Sequence, residues 1–350
     1  MTTRKILVTG ASGHLGNVLA KALLARGDTV RVLVEPGDDA PALEGLPVER
    51  LMGDVRDADA VKRAVEGMDV VCHLAGLVSI TAGFEQQMRD VNVGGTRNVL
   101  EACAASGARL LYMSSIHALT EAKPGQPLLE DAGFDEKTAF GAYGKSKAEA
   151  SRLVQEAARA GRVHASLLLP VGCTGPEDYR LSEMGELVAA VGQKRRPIVV
   201  TGGYHWVDIR DVAQATIAAI EKGRPGEAYL LSERYLSVKD VCAAIAQAAG
   251  VRPPPVAIPL FLAWLFSWPL LLWEWLTKRR ALMTPYAMHT LGCAFDVAAK
   301  KARAELGFTP RRTEESLRDA WLWLSTHPKS PLLGRGGATR PGRQLGAVNR

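Results

Sequence analysis

Cysteine is scarce and unpatterned in this chain. Five residues, at 72, 103, 173, 242 and 293, are spread over 350 positions with no C-x-x-C and no paired histidines beside them. That spacing excludes a disulfide framework and a zinc-type metal site, so no metal is expected. Cys72 and Cys103 stand in apolar runs and read as core residues. No signal-like leader precedes the first apolar strand, which Met1 to Arg4 enter directly, so a cytoplasmic catalytic domain is the expectation. Solenoid-type repeats are missing as well. A surface of one charge sign is also lacking: 43 basic against 37 acidic residues give +6, and Arg335, Arg340, Arg343 and Arg350 fall in the last 21 positions, which hold no acid. The remainder is nearly neutral, so no nucleic-acid partner is expected, and the Gly/Pro/Arg-rich stretch 329–350 reads as a disordered tail.

What is present is enough for a buried core, with 47% hydrophobic residues, and an alternation of strand-like and helix-like segments that points to an α/β doubly wound sheet. The β-rich run Lys5 to Thr9 leads into Gly10-Ala-Ser-Gly13-His14-Leu15-Gly16 and then a helical pattern through Leu24. Strand, glycine turn, helix is the arrangement that lets a backbone approach a pyrophosphate and offers it a helix N-terminus. His14 reads as a solvent-facing residue of the first helical turn. A second strand, Thr29 to Val34, ends in Glu35, placed to accept ribose hydroxyls and repel a 2′-phosphate; this favours NAD over NADP, while Arg4 and Arg31 keep the alternative open. A third strand, Pro47 to Met52, leads to Asp54 and Val55, where the Asp could meet the adenine edge or cap the helix beginning near Asp57. The run Val70 to Gly76 reads as a buried parallel strand ending in the small-residue stretch Leu74-Ala75-Gly76, where a cofactor could lie close. Downstream, Tyr143 and Lys147 lie four apart, so on a helix they share a face. An ammonium there would bring the phenol down from its ordinary value near ~10 toward a range where it exchanges protons with an alcohol or ketone.

Together these motifs, with Asp90-Val-Asn92-Val-Gly-Gly-Thr96, Tyr112-Met-Ser114-Ser115, Pro170-Val-Gly172-Cys-Thr-Gly-Pro176, Trp206-Val-Asp-Ile-Arg-Asp-Val-Ala213 and Ala302 to Pro310, make the chain resemble an extended short-chain dehydrogenase/reductase over residues 4 to 327. The resemblance implies a Rossmann-type fold with Tyr143 as acid/base. Lys147 would lower the tyrosine's pKa and bind nicotinamide-ribose hydroxyls, and Ser115 would hydrogen-bond the reacting oxygen, with Ser114 as its fallback. Asn92 would brace the adjacent helix, and Pro170 and Gly172 would border the cofactor. Nucleotide-sugar enzymes of the family commonly carry an asparagine after the sixth strand, where this chain has Pro170, and the dehydratase Thr-Asp-Glu pattern is replaced by Ser115-Ile-His117. The chain is therefore more similar to the 3β-hydroxysteroid dehydrogenase branch. An NAD-dependent oxidoreductase on a hydrophobic, sterol-like secondary alcohol follows. The rival readings are a nucleotide-sugar 4-epimerase and a non-catalytic dinucleotide-sensing regulator, the latter weakened because Ser115, Tyr143 and Lys147 are all present.

This reading assigns residues 1–170 to the NAD-binding domain, with 204–233 returning to it. Residues 171–203 and 234–328 form a mostly helical substrate lobe. Within that lobe Val256 to Leu276 is apolar apart from Ser267 and Glu274, carries four of the seven tryptophans, and runs into Lys278, Arg279 and Arg280. Pro259, Pro269 and Glu274 argue against a membrane crossing. Residues 256–280 are expected either to lie peripherally on the cytoplasmic face of a membrane, or to wall the substrate cleft or face another subunit in a homodimer.

Overall fold

A computed structural model describes residues 3–79, 83–122, 126–195, 197–265, 285–292 and 296–333. Strand β1 (Lys5–Thr9) forms where Ile6, Leu7 and Val8 run without a polar interruption, and all three are fully buried. Such continuous apolar runs mark a parallel sheet covered on both faces. The same logic gives β2 (Thr29–Val34), β4 (Val70–His73), β5 (Arg109–Met113) and β6 (Ala165–Pro170), with β3 (Glu49–Met52) as the exposed edge. With β10 (Ala228–Leu231) they form a seven-stranded sheet in the order β10-β6-β5-β4-β1-β2-β3, parallel throughout. Each buried Leu, Ile or Val in it contributes about 1.5–3 kcal/mol relative to exposure. The order reverses at β1/β4, the switch point where a ligand lies beyond the strand ends.

Helix α1 (His14–Arg26) follows β1 and ends at Gly27, while α2 (Ala58–Val65) is capped by Asp57, whose carboxylate accepts from the Asp59 and Ala60 amides. Helix α3 (Glu85–Arg89) runs through a π-helical turn, Asp90–Gly95, into α4 (Thr96–Ser106). Helix α5 (Gly141–Arg159) packs against that turn. The second lobe holds β7 (Gly172–Thr174), α6 (Glu183–Gly192), β8 (Val199–Val200), β9 (Gly203–Asp208), β11 (Arg234–Ser237), α8 (Val238–Ala249) and β12 (Ala257–Ile258). Two C-terminal helices, α9 (Pro285–Gly292) and α10 (Thr313–Thr326), complete it, the latter against α8 and α6.

The return to the central sheet differs from the expectation at its start. β9 belongs to a separate sheet of order β11-β9-β7, and only α7 (Ile209–Lys222) and β10 rejoin the large sheet. Of the apolar segment, 266–276 lies outside the described residues, as do Lys278 to Arg280 and positions 334–350 of the tail. Among the described residues no helix is long and apolar enough to cross a membrane.

Candidate active site

Gly10 has φ +72°, and a Cβ there would sit 2.7 Å from the Ala75 nitrogen, so glycine lets β1's exit lie directly against the Leu74–Ala75 backbone. At Gly16 a Cβ would stand 2.1 Å from the Gly10 carbonyl oxygen. This close approach sets α1 against the turn. The helix starts after Gly13 with no side-chain cap, leaving its first amides for a ligand. A narrow glycine turn feeding an uncapped helix fits a dinucleotide pyrophosphate. Leu15 is partly buried against the core. His14 does not simply face solvent, as the sequence suggested: its Nε2 is 2.8 Å from the Pro176 carbonyl, joining the helix start to the chain after β7.

Past β2, Glu35 is largely exposed and 3.9 Å from the Arg56 guanidinium. Arg56 itself is taken up by Asp54, with bonds of 2.5 to 3.0 Å. Burial alone would raise the Asp54 carboxyl, but its hydrogen bonds to Arg56 hold it below the usual carboxylate range. Arg31 is spent on Glu49 and on the Ala64 and Glu66 carbonyls, and Arg4 on Glu221 and the Ile220 carbonyl. Sequence reasoning missed Asp38, which accepts from Ser12 of the glycine loop at 2.7 Å, from the Ala40 amide at 2.9 Å and from Arg180 of the second lobe. Val55 lies buried beneath Gly95, and its carbonyl accepts from Asn98.

On the other side of the switch point, Tyr143 stands in the first turn of α5 and Lys147 one turn later. Burial raises the Tyr143 phenol to about 12, with a hydrogen bond from Ser115 opposing it. Lys147, only 5% exposed, donates to the Met113 carbonyl at 2.8 Å and lies 5.1 Å from the Tyr112 ring centre. Burial depresses its ammonium to about 8. The expected lowering of the tyrosine by this lysine is therefore not present: the β5 carbonyl holds the ammonium, and desolvation dominates the phenol. A Cβ at Gly76 would meet the Asn92 Oδ1 at 3.2 Å and the Lys147 Nζ at 3.4 Å, so the small residue leaves the lysine tip open to this side.

The two serines after β5 divide as their surroundings dictate. Ser114 Oγ is 2.6 Å from Ser151 Oγ, buried behind α5, whereas Ser115 faces Tyr143. Asn92 is a brace: its Oδ1 accepts from the Leu77 amide at 2.7 Å, and its Nδ2 donates to the Leu77 carbonyl and to Ser146 Oγ, both at 2.9 Å. Ser146 in turn donates to the Tyr143 carbonyl at 2.8 Å. Pro170 lies buried at the end of β6, paired with Leu231, and Gly172 makes room for the Trp206 ring. An aromatic wall that local sequence could not reveal stands over the site. The His117 ring centre is 6.3 Å from Tyr143 and 6.1 Å from Tyr286, and Phe140 stacks on Tyr286 at 5.8 Å and on His289 at 3.7 Å.

A doubly wound sheet, an open glycine turn at its switch point and a Ser-Tyr-Lys set beyond β5, with Ser115 and Lys147 buried and Tyr143 partly so, define an NAD(P)-dependent enzyme of the extended short-chain dehydrogenase/reductase type. The signature of the NAD dependent epimerase/dehydratase family matches residues 6–232, and the chain belongs to that family. It is similar to sterol demethylase protein B of Methylococcus capsulatus, 31% identical over 93% of this chain and 98% of that one. Similarity extends to a 3 beta-hydroxysteroid dehydrogenase/Delta 5→4-isomerase of Mycobacterium tuberculosis (28%, covering 89% and 87%) and to a UDP-glucose 4-epimerase of Streptomyces lividans (28%, covering 93% and 97%). Among solved structures, gox2253 superposes with a TM-score of 0.82 at 28% identity, over 94% of this chain and all of that one.

Proposed function

We propose that this enzyme is an NAD-preferring dehydrogenase that interconverts a hydrophobic secondary alcohol of sterol-like bulk and its ketone. The observation that carries the reading is the setting of Tyr143, bonded to Ser115 beneath the rings of His117, Phe140 and Tyr286. Where nucleotide-sugar enzymes place an amide, Pro170 offers no side-chain donor. NAD supplies a hydride acceptor at nicotinamide C4. Tyr143 takes or returns the proton on the substrate oxygen, and Ser115 donates a hydrogen bond to that same oxygen. Lys147 would hold the ribose hydroxyls of the bound dinucleotide, and the aromatic wall would keep water away. The preference for NAD rests on Glu35, whose charge disfavours a 2′-phosphate, and on Arg56 being committed to Asp54. The similarity to a sterol-processing protein supports the substrate class, while the similarity to a UDP-glucose epimerase keeps the epimerase reading in play.

The two separate by redox balance. Incubation with NAD and a panel of sterol and bile-acid-like alcohols should produce NADH, read by its absorbance. UDP-glucose should give neither NADH nor a 4-epimer. Clean epimerisation with no net NADH would replace the proposal with the epimerase.

A further inference from the structure

We propose that residues 194–195, 197–198 and 252–265 form a surface that docks on an anionic lipid bilayer. This goes beyond the reading of the active site and does not depend on it. Residues 260–265 form a helix directly after β12, the Leu262 and Ala263 amides donating to the Pro259 carbonyl at 3.0 and 3.1 Å. It turns Ala263 inward, against Val200, Met288 and Leu291. Phe261, Trp264 and Leu265, spaced i, i+3, i+4, remain 70, 50 and 59% exposed. The parallel pairing Val199↔Ala257 places Ile198 and Val256 just ahead of the two paired strands, at the same end, and both are about two-thirds exposed (67 and 68%). A single exposed leucine needs no explanation, but five large apolar side chains at the entry of one strand pair and on the helix that follows it do.

The charge around them identifies the occupant. The segments entering β8 and β12 lie at the same end of the pair and carry Lys194, Arg195 and Arg252, all exposed. No Asp or Glu occurs between 187 and 207 or between 241 and 265. Aromatic and aliphatic groups with cations beside them and acid excluded suit an interface of headgroups and acyl chains, with rings at headgroup depth and cations among the phosphates. A second copy is a poorer fit, because a two-fold axis would set these cations against their own equivalents.

The test uses the full chain and vesicles of phosphatidylcholine, with and without phosphatidylglycerol. Wild type should sediment with the anionic vesicles and release at high salt. Phe261→Ser with Leu265→Ser should weaken that binding by about tenfold, in line with the lost apolar insertion. Lys194→Glu with Arg195→Glu, on exposed positions that do not support the fold, should abolish the preference for anionic lipid. NAD binding and Tm should stay at wild-type values in both variants. Failure of the wild type to bind, or unchanged binding in both variants, overturns the proposal. So does a variant-induced change of oligomeric state by light scattering without vesicle binding, which would make the surface a contact between copies.

Discussion

Tyr143 holds its proton tightly, at about 12, because burial disfavours the phenolate and Lys147 is turned to Met113. The hydroxyl that exchanges this proton is irreplaceable in the proposed reaction, whereas the ring is not. Tyr143→Phe should lose at least about 10²–10⁴-fold in turnover, with NAD affinity within a few-fold, measured by steady-state rates and by titration of protein fluorescence. Retained turnover would remove Tyr143 from the mechanism. The neighbouring serines separate a chemical role from a structural one. Ser115→Ala should cut kcat by about tenfold or more, through loss of a donor to the reacting oxygen. Ser114→Ala should leave kcat near wild type and cost about 1 kcal/mol of stability, because its hydroxyl serves only the buried bond to Ser151. Cofactor choice also belongs to this scale. Glu35→Arg should narrow or reverse the preference for NAD, read as the ratio of kcat/KM for the two dinucleotides. Equal wild-type values with both would show that Glu35, exposed as it is, points away from the ribose.

The end of β4 and the π-helical turn at Asp90–Gly95 are joined by a fully buried imidazole. His73 Nδ1 is 2.7 Å from Thr9 Oγ1 and its Nε2 is 3.0 Å from Thr96 Oγ1. Thr96 donates to the Asn92 carbonyl, so it must accept from His73 Nε2–H; burial keeps the ring neutral, so Nδ1 carries no proton and accepts from the Thr9 hydroxyl, whose oxygen also takes the Ala75 amide. The ring is thus fixed as the neutral Nε2–H tautomer, which links the glycine-turn strand to the Asn92 brace. Burial pushes its pKa down to about 3, against an ordinary value of 6.5. Below pH 6.5 the unfolded chain takes up a proton that the fold refuses. Stability is therefore complete above 6.5 and falls as pH drops toward 3, by up to about 1.4 kcal/mol per pH unit. His117, lowered to about 4 by burial, acts in the same direction. Urea midpoints measured from about pH 7 to pH 5 should fall, and His73→Asn should remove about half of that slope while lowering the plateau. An unchanged slope in the variant would mean that other groups titrate. None of this was visible beforehand, since a histidine inside Val70 to Gly76 reads only as one more strand residue.

Across the whole molecule, what could be read from sequence follows the range of the interactions. The strands of the central sheet announce themselves because burial on both faces demands uninterrupted apolar runs, as in Ile6 to Val8. β8 and β12 have two residues each and no period to detect, and Tyr286 reaches His117, the neighbour of Tyr143, only through the packing of α9. The bridge between the lobes was hidden for the same reason: Arg180 and Asp38 carry no local signal of one another, yet the guanidinium reaches the carboxylate that also takes the Ser12 hydroxyl. Burial would raise the Asp38 carboxyl, but Arg180, Ser12 and the Ala40 amide hold it below the ordinary range. This places one contact of the second lobe on the loop after β2 and, through Ser12, on the glycine turn itself. If that contact helps to set the turn for the dinucleotide, Arg180→Ala and Asp38→Ala should each raise the Kd for NAD by several-fold. Together they should do little more than one alone, a coupling of about 1 kcal/mol in a double-mutant cycle. Arg180→Lys, keeping the charge but not the fork, should recover part of the loss. Strictly additive effects would show that the two residues act on the cofactor separately, and that the lobes are held by the Arg311 ion pairs with Asp208 and Asp211 instead.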